Sequence, residues 1–395
     1  MNTNWLGKEL ELSVGKVAHG GVFVARHENR VIFVSGAITG EKVLARVYED
    51  KGGSFARAET IEVLEPSIDR VPHFWKKSAM AGGAEFGHIS LERQRSLKAE
   101  VLAEAFERFA KLEIKTSVES IDSDPSGLGY RTRVQLHVNE FGDAGPYRER
   151  SHEVVKVKDL PLAVPEIQEL GLHLKNWQSV KKISIAASNT GGLQWLVDRK
   201  LQGDKQLLES VLGRTYRLSP GSFWQVHKNA AKELSETVIA FARASGFDKN
   251  SQNLDLYSGA GLFSGALASE FGLETKITAV EASKQAASDS KKNLADLSNF
   301  KVFGTGTQDY LKRLDRLDAK STVLLDPPRS GAGNQVIAEL IRLQPGKVIY
   351  VACDPVALAR DLGQLVPAGY RIDNIRALDL FPHTHHFETV VSLVR

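Results

Sequence analysis

Short runs of alternating apolar and polar residues extend from Glu9 to about Leu64, with glycine, asparagine and aspartate at the breaks. Alternation with a period of two is typical of strands that bury one face, and short strands joined by tight turns favour a small β-barrel. The segment from Glu65 to Phe74 contains prolines and interrupts this pattern. We therefore predict an amino-terminal barrel over residues 1–68.

The middle of the chain has a different pattern. Between Leu91 and Leu112 apolar residues recur at steps of three and four, as in an amphipathic helix that packs on other elements. Alternation returns from about Gly129 to Leu201, which predicts a β-rich central region over residues 69–205. That stretch carries the basic residues Arg131, Arg133, Arg148 and Arg150.

From about Ser219 onward, strand-like apolar runs alternate with helical stretches. The runs are NLDLYSG, ITAVEAS, TVLLDPP and KVIYVAC. This alternation predicts an α/β domain over residues 206–395, with a doubly wound, Rossmann-like parallel sheet. Ligands of such sheets bind at the carboxyl ends of the strands, so the reacting groups are expected there.

Composition narrows the class of protein. A chain of 395 residues suits two or three domains, and 42% hydrophobic residues with a mean hydropathy of -0.22 indicate globular domains. The net charge of +3 is too small to indicate a polyanionic partner by itself. We find no signal-peptide pattern and no apolar run long enough to span a membrane, so a cytoplasmic protein without a membrane partner is expected. A single cysteine excludes an internal disulfide and any multi-thiolate metal site.

A glycine turn follows the first strand of the predicted parallel sheet. The segment Tyr257-Ser258-Gly259-Ala260-Gly261 lets the backbone approach a ligand, and a helix begins directly after it. The next strand ends in Glu281, at the spacing where an acidic side chain binds the hydroxyl groups of a ribose. The two features indicate an adenosine-containing ligand and leave NAD and S-adenosylmethionine open.

Three further segments carry reactive groups. Asp326 ends a strand and is followed by two prolines and Arg329, which make a stiff loop. Cys353 comes just after another strand; it is either a small buried residue or a nucleophile. Near the carboxyl terminus, DLFPHTHHFE ends in Glu388, either an acid–base group or an exposed charge. The spacing of the histidines in that segment predicts no metal site.

Together these segments resemble the RNA uracil-5-methyltransferase family. SFWQVH from Ser222 is similar to the family's Ser-Phe-aromatic-Gln-x-Asn element, and LDLYSGAGLF to its cofactor loop. LLDPPRSG, VACDP and DLFPHTHHFE resemble its Asp-Pro-Pro-Arg signature, its nucleophile motif and its closing motif. The five elements occur in the family's order, and with the barrel they cover nearly the whole chain.

The resemblance implies a role for each matching residue. It implies that the barrel is a TRAM domain of the oligonucleotide fold, that the barrel and central region bind RNA, and that S-adenosylmethionine is the methyl donor. Cys353 is the implied nucleophile and Glu388 the implied base. The implied S-adenosylmethionine contacts are Gln225, Tyr257, Gly259, Gly261, Glu281 and Asp326. The implied substrate contacts are Arg329, His383 and His386.

The sequence departs from the family pattern in two respects. Many barrel-bearing members hold a four-cysteine iron–sulfur cluster, whose places are here taken by Val71, Ala81, Ala84 and Leu160, so we predict no cluster. His227 replaces the usual asparagine and Ala352 the serine or threonine before the nucleophile. Neither change removes a reacting group.

The chemistry explains why these groups are needed. Carbon 5 of uracil becomes nucleophilic only after a thiolate has added at carbon 6, and a base then removes the proton at carbon 5. The target base has to be flipped out of its stack to reach a thiol. We predict uridine methylation in ribosomal RNA, since the barrel is common on members that act there. The alternatives are transfer RNA as substrate, a non-catalytic RNA-binding assembly factor, and an NAD-dependent oxidoreductase.

Overall fold

The computed structural model of the chain describes residues 4–75, 81–122, 124–148 and 151–395. Six amino-terminal strands form one sheet in the order β1-β5-β6-β4-β3-β2. Backbone hydrogen bonds from Gly15 to Val24 and from Val24 to Lys16 bring the two edges of this sheet together. The strands are β1 (Glu9–Ser13), β2 (Val17–Ala18), β3 (Val22–His27), β4 (Arg30–Ser35), β5 (Lys42–Glu49) and β6 (Phe55–Glu65).

The barrel's interior is filled from one face of each strand and from the chain that follows. Phe23, Ile32 and Val43 are fully buried there, as the alternating pattern predicts. Phe86 and Leu97, which lie beyond the barrel, belong to the same apolar cluster. The barrel therefore does not sit apart from the rest of the chain.

The predicted amphipathic helix is confirmed as α1 (Leu91–Ala105), continued by a π-helical turn over Phe106–Ala110. Ser90 caps it by accepting a hydrogen bond from the Arg93 backbone N–H. A short strand follows, β7 (Val118–Ser120).

The central region contains a five-stranded antiparallel sheet in the order β12-β11-β10-β8-β9. Its elements are β8 (Arg133–Val138), β9 (Ala144–Gly145), α2 (Pro165–Glu169), β10 (Lys182–Ala187), β11 (Leu193–Val197) and β12 (Lys200–Gly203). A hairpin of β13 (Leu207–Val211) and β14 (Arg214–Leu218) leads into the last region.

The carboxyl-terminal region is an eight-stranded sheet in the order β17-β16-β15-β18-β19-β21-β20-β7. The five strands from β17 to β19 are parallel, and β21 is antiparallel to both of its neighbours. Its strands are β15 (Asn253–Leu256), β16 (Ile277–Val280), β17 (Phe300–Phe303), β18 (Thr322–Leu325), β19 (Lys347–Ala352), β20 (Arg371–Asp379) and β21 (Glu388–Val394). Its helices are α3 (Ala230–Ala244), α4 (Leu262–Phe271), α5 (Lys284–Asn293), α6 (Thr307–Leu311), α7 (Gly333–Leu343) and α8 (Pro355–Leu365).

The segment from α1 to β7 belongs to the core of this last sheet, although the sequence pattern places it in the central region. Leu102, Phe106 and Val118 are buried in the same apolar cluster as β18 and β19, and β7 pairs with β20. Periodicity predicted that the helix packs but not against which partner. The division into residues 1–68, 69–205 and 206–395 stays a prediction. None of the helices in the described ranges has the length and apolar character needed to cross a membrane.

A buried ion pair ties α1 to the end of β20. The Lys98 Nζ donates to Asp379 Oδ1 at 2.6 Å and to the Phe381 carbonyl at 3.1 Å. The side chains of Lys98 and Asp379 are 1% and 2% exposed, so solvent does not screen the pair. The loop between β20 and β21 is fixed at its start by this contact.

We expect Lys98→Met to destabilise the fold by about 3–5 kcal/mol, because the Asp379 carboxylate would stay buried without its cation. Unfolding in denaturant, followed by fluorescence, measures the loss. The control is Lys16→Met, which removes the ion pair between Lys16 and Glu104. The side chains of this pair are 64% and 41% exposed, so its loss should leave the unfolding midpoint essentially unchanged. Equal unfolding midpoints for the two variants would contradict a stabilising role of the Lys98–Asp379 pair.

Candidate active site

The carboxyl ends of β15, β16, β18 and β19 open onto one cavity of about 810 Å³. A cavity of this size can hold a nucleoside cofactor together with part of a second substrate. Most of the side chains that the sequence singled out line this cavity, although they come from distant parts of the chain. They are Gln225, Tyr257, Gly259, Glu281, Asp326, Arg329, Cys353, His386 and Glu388.

The glycine turn after β15 is held in a conformation that few residues adopt. Tyr257 and Gly259 have φ angles of 62° and 54°, in the left-handed region. The Glu281 carboxylate at the end of β16 accepts hydrogen bonds from the Gly259 N–H at 2.9 Å and the Ser283 N–H at 2.7 Å. The turn and the acid are thus fixed against each other at the cavity wall.

Gly261 lies at the start of α4 and not on the cavity wall. It precedes α4 with a φ of 92°, and a Cβ there would lie 2.8 Å from Leu294 Cδ1 and 2.9 Å from Ser290 Oγ. The missing side chain lets the start of α4 pack against α5. The structure therefore does not bring Gly261 to the ligand surface with the other predicted cofactor residues.

Two acids lie at the ends of the central strands. Burial raises the pKa of Asp255 to about 7, although this carboxylate accepts hydrogen bonds from the Ser264 N–H and hydroxyl. Burial, with the neighbouring charge of Asp255, also raises the pKa of Asp326 to about 7. Of the two acids, only Asp326 lines the cavity, and a cationic ligand beside it would favour its charged form.

Cys353 lies between the end of β19 and the start of α8. Asp354 caps α8 by accepting from the Ala357 N–H at 2.8 Å, and Pro355 takes the first helical position, where its missing N–H costs nothing. Burial raises the pKa of the Cys353 thiol to about 12; Glu388 and Asp326 add to the rise and Arg329 opposes it. The unliganded cavity therefore keeps this residue as a thiol.

Alkylation offers a direct test of this environment, because Cys353 is the single thiol of the chain. Without ligands, we expect its rate with iodoacetamide to rise about tenfold per pH unit from about pH 7 to pH 10, since only the thiolate reacts. Mass spectrometry of the alkylated fraction gives the rate at each pH. A plateau at about pH 8.5, the value for an ordinary thiol, would contradict the raised pKa.

Glu388 opens β21 and faces the same cavity. Its residue is 7% exposed, and its Oε2 has no hydrogen-bond partner among the described residues. Burial raises its pKa well above the usual value; Asp326 adds to the rise and Arg329 opposes it. A buried carboxyl with an unpaired oxygen is suited to taking or giving a proton.

The loop before β21 directs its histidines to different places. The His383 N–H donates to Gln94 Oε1 at 2.8 Å, its Nε2 lies 2.9 Å from the Ser126 carbonyl, and its ring packs on Phe74. His383 therefore joins three segments of the fold and does not line the cavity, unlike the substrate contact that the resemblance implies. His386 does line it, and burial, with His385 and Arg329, lowers its pKa to about 3, so it is neutral.

The spacing of the histidines predicts no metal site. The structure places Glu85, from a distant segment of the chain, beside these histidines, which their spacing could not show. Glu85 accepts a hydrogen bond from the His385 N–H at 3.0 Å and a second from its ring. The ligand atoms of Glu85, His385 and His386 lie within 4.8 Å of one another, a distance compatible with a metal ion. Both hydrogen bonds from His385 are accepted by the same oxygen, Glu85 Oε1.

The barrel reaches the loop after β19 through residues that no motif indicated. His19, in the turn between β2 and β3, lies 2.9 Å from Asp354 Oδ2, beside Cys353. A Cβ on Gly21 would lie 3.0 Å from that of His385. Because these partners are hundreds of residues apart, only the fold brings them together.

The remaining residues that the sequence analysis named lie in several different parts of the structure. Ala81, Ala84 and Leu160, at the cluster-ligand places of the resemblance, pack with Trp75 in an apolar core, and Val71 is 39% exposed. His227 is buried and lies 2.8 Å from Asp122 Oδ2. Arg131 and the 67% exposed Phe223 line the cavity, neither having been assigned a role there from the sequence. Arg150 lies outside the described residues.

The chain is similar to known RNA methyltransferases over nearly its whole length. Residues 198–395 match a family described as tRNA (Uracil-5-)-methyltransferase, and residues 5–61 match the TRAM domain. An "Uncharacterized RNA methyltransferase" of Streptomyces avermitilis is 36% identical, with 98% of both chains covered. One from Thermotoga maritima is 28% identical, covering 98% of this chain and 99% of its own.

A solved structure has the same fold. The crystal structure of the Pyrococcus abyssi tRNA (uracil-54, C5)-methyltransferase in complex with S-adenosyl-L-homocysteine superposes with a TM-score of 0.72. The match covers 97% of this chain and 99% of that chain, at 22% sequence identity. The order of barrel, central sheet and carboxyl-terminal sheet is therefore shared over nearly the full length.

Proposed function

Because the chain belongs to the tRNA (uracil-5-)-methyltransferase family, we propose that it methylates carbon 5 of a uridine in RNA through a covalent bond to Cys353. It is an S-adenosylmethionine-dependent RNA methyltransferase, and its amino-terminal barrel is a TRAM domain. The observation that carries the covalent mechanism is the shared cavity. Cys353, Glu388 and the turn at Gly259 all line it.

The residues around the glycine turn fit S-adenosylmethionine. The Glu281 carboxylate at the end of β16 is placed to accept from ribose hydroxyl groups, and Gly259 leaves room for the ligand to approach the backbone. Gln225, Tyr257 and Asp326 line the same cavity. When bound there, the cofactor would supply the methyl group as an electrophile.

Cys353 starts the reaction by adding to carbon 6 of the uracil ring. The new S–C6 bond pushes the electrons of the C5–C6 double bond toward the carbonyl at carbon 4, which makes carbon 5 nucleophilic. The raised pKa of the thiol means that its ionisation has to be assisted. The Arg329 guanidinium opposes the rise of the thiol pKa and so favours the thiolate, and a positively charged cofactor in the same cavity would add to this effect.

Glu388 completes the reaction as the base. After the methyl group has joined carbon 5, its carboxylate takes the remaining proton from that carbon, the double bond re-forms and the Cys353 thiolate leaves. The unpaired Oε2 and the cavity position support this role. Burial, which raises the pKa of Glu388, makes its carboxylate a stronger base than an exposed glutamate.

For the substrate we propose ribosomal RNA, with transfer RNA as second candidate. The first is supported by the family resemblance, in which barrels of this kind are common on members that act on ribosomal RNA; the barrel of this chain packs beside the proposed nucleophile through His19. The second is supported by the Pyrococcus abyssi enzyme, a transfer RNA methyltransferase that matches 97% of this chain. In either RNA the uridine must be unstacked, which is cheapest in a loop.

The test uses RNA from cells that lack this gene, incubated with the protein and methyl-labelled S-adenosylmethionine. Ribosomal and transfer RNA are then separated, and modified nucleosides are mapped by mass spectrometry. Label at carbon 5 of uridines in ribosomal RNA is the expected result, and label in transfer RNA favours the second candidate. Tight RNA binding without any transfer would overturn the proposal in favour of an assembly factor.

A further inference from the structure

A second depression, an open groove of about 470 Å³, adjoins the reaction cavity. Arg131, Arg329 and His386 line both the groove and the cavity, so the two are continuous at that boundary. The far wall of the groove is formed by β8 and by the segment after β9, both in the central sheet. An RNA strand whose target base enters the cavity can therefore place a neighbouring nucleotide along this opening.

A pair of stacked rings forms part of that wall. His137 on β8 and Tyr147 after β9 have ring centroids 3.6 Å apart and planes 15° from parallel. The His152 ring meets Tyr147 edge-on at 5.3 Å. The Gln135 side chain, also in the groove, lies 2.9 Å from His137 Nε2. Stacked rings on an open wall offer a face on which a nucleobase can extend the stack.

Three arginines and one carboxylate, that of Glu85, line the groove, and the carboxylate is hydrogen-bonded to His385. Arg131 and Arg329 flank the boundary with the cavity, and Arg148 lies beside Tyr147 in an ion pair with Glu153 at 2.7 Å. Burial lowers the pKa of His137, with smaller contributions from Lys182 and His152, so this ring stacks in its neutral form at physiological pH. The groove thus combines neutral aromatic faces with arginines at its edge, the combination that binds single-stranded nucleic acid.

We propose that this groove binds the unpaired nucleotide next to the target uridine, with its base stacked on the His137–Tyr147 pair and its phosphate near Arg131 and Arg329. The inference rests on the proposed function and adds a second base-binding subsite to it. Stacking accepts any base, so the subsite supplies affinity and register more than sequence choice. The target loop must therefore offer at least two consecutive unstacked nucleotides.

Steady-state kinetics with RNA from cells lacking the gene test the subsite. Tyr147→Ala is expected to raise the KM for RNA about tenfold and leave the KM for S-adenosylmethionine unchanged, because one stacked base is lost. Tyr147→Phe keeps the ring and should restore the wild-type value. The matched control is Phe141→Ala, which removes a 67% exposed aromatic residue in the turn between β8 and β9, outside the groove.

Ultraviolet crosslinking adds a readout that needs no turnover and no substitution. The wild-type protein is irradiated with the same RNA and digested, and nucleotide adducts are located by mass spectrometry. An adduct on the peptide that contains Tyr147 or His137 is expected. Thermal unfolding of each variant separates a lost contact from a lost fold.

The outcomes separate the two proposals. If the wild-type protein transfers no methyl group, the proposed function fails. If it methylates RNA, but Tyr147→Ala behaves like Phe141→Ala and adducts occur only on the barrel, the subsite is overturned while the proposed function stands.

Discussion

Cys353→Ala is expected to lower methyl transfer to RNA by at least about 10⁴-fold while leaving the affinity for S-adenosylmethionine within about twofold. Without the thiolate, carbon 5 of the uracil has no means of becoming nucleophilic, whereas the groups assigned to the cofactor lie on other strands. Transfer of labelled methyl groups measures the first quantity, and titration calorimetry the second.

The control for this variant is Ser330→Ala, which alters an exposed residue next to Arg329 without touching the cavity lining. It should keep the wild-type rate. Methylation by Cys353→Ala at the rate of this control would exclude covalent catalysis and leave Cys353 as a half-buried packing residue.

Glu388→Gln is expected to have a different signature. The amide keeps the size of the side chain but cannot accept the proton at carbon 5, so turnover should fall about 10³-fold. Addition and methyl transfer can still occur once on each protein molecule. A covalent protein–RNA complex should therefore accumulate, and a denaturing gel shows it as a slower band that is absent for Cys353→Ala.

The matched control is Glu236→Gln on the exposed face of α3, which should turn over normally and form no lasting complex. Normal turnover by Glu388→Gln would remove this residue from the reaction. A fall in turnover with no trapped complex would place Glu388 before the methyl-transfer step, contrary to its proposed role as the final base.

The raised pKa values of Cys353 and Glu388 also predict how turnover depends on pH. The active forms are the Cys353 thiolate and the Glu388 carboxylate, and burial raises the pKa of both groups above their ordinary values. Raised pKa values mean that the active forms are lost as the pH falls. Turnover by the wild-type protein should accordingly rise from neutral to alkaline pH.

Much of the fold was predictable because its signals are local. Period-two alternation predicted the barrel strands, and steps of three and four predicted α1. The alternation of apolar runs with helices predicted the doubly wound sheet, which the comparisons confirm. The antiparallel insertion of β21 between β19 and β20 was not predicted, because strand order in a sheet is decided by packing rather than by any one segment.

Eight of the nine predicted residues on the cavity come from motifs that follow strands of one sheet running in the same direction, which end at the same edge of that sheet. Gln225 follows the separate β13–β14 hairpin, and only the fold brings it to the cavity. His383 shows the limit of this reasoning. It stands in the same motif as His386, but its backbone has a φ of 66° and its ring packs on Phe74. A motif specifies the order of residues; the turn they adopt decides where each side chain lies.

The sequence by itself thus indicated the family, because its motifs consist of residue types at short, fixed spacings; the methyl donor and the groups proposed to react followed from that resemblance. Only the tertiary structure decided which distant residues surround them. Lys98 beside Asp379, His19 beside Asp354 and the stacked rings of His137 and Tyr147 are such contacts. The free energy of these contacts comes from burial and close approach, which do not exist until the chain has folded.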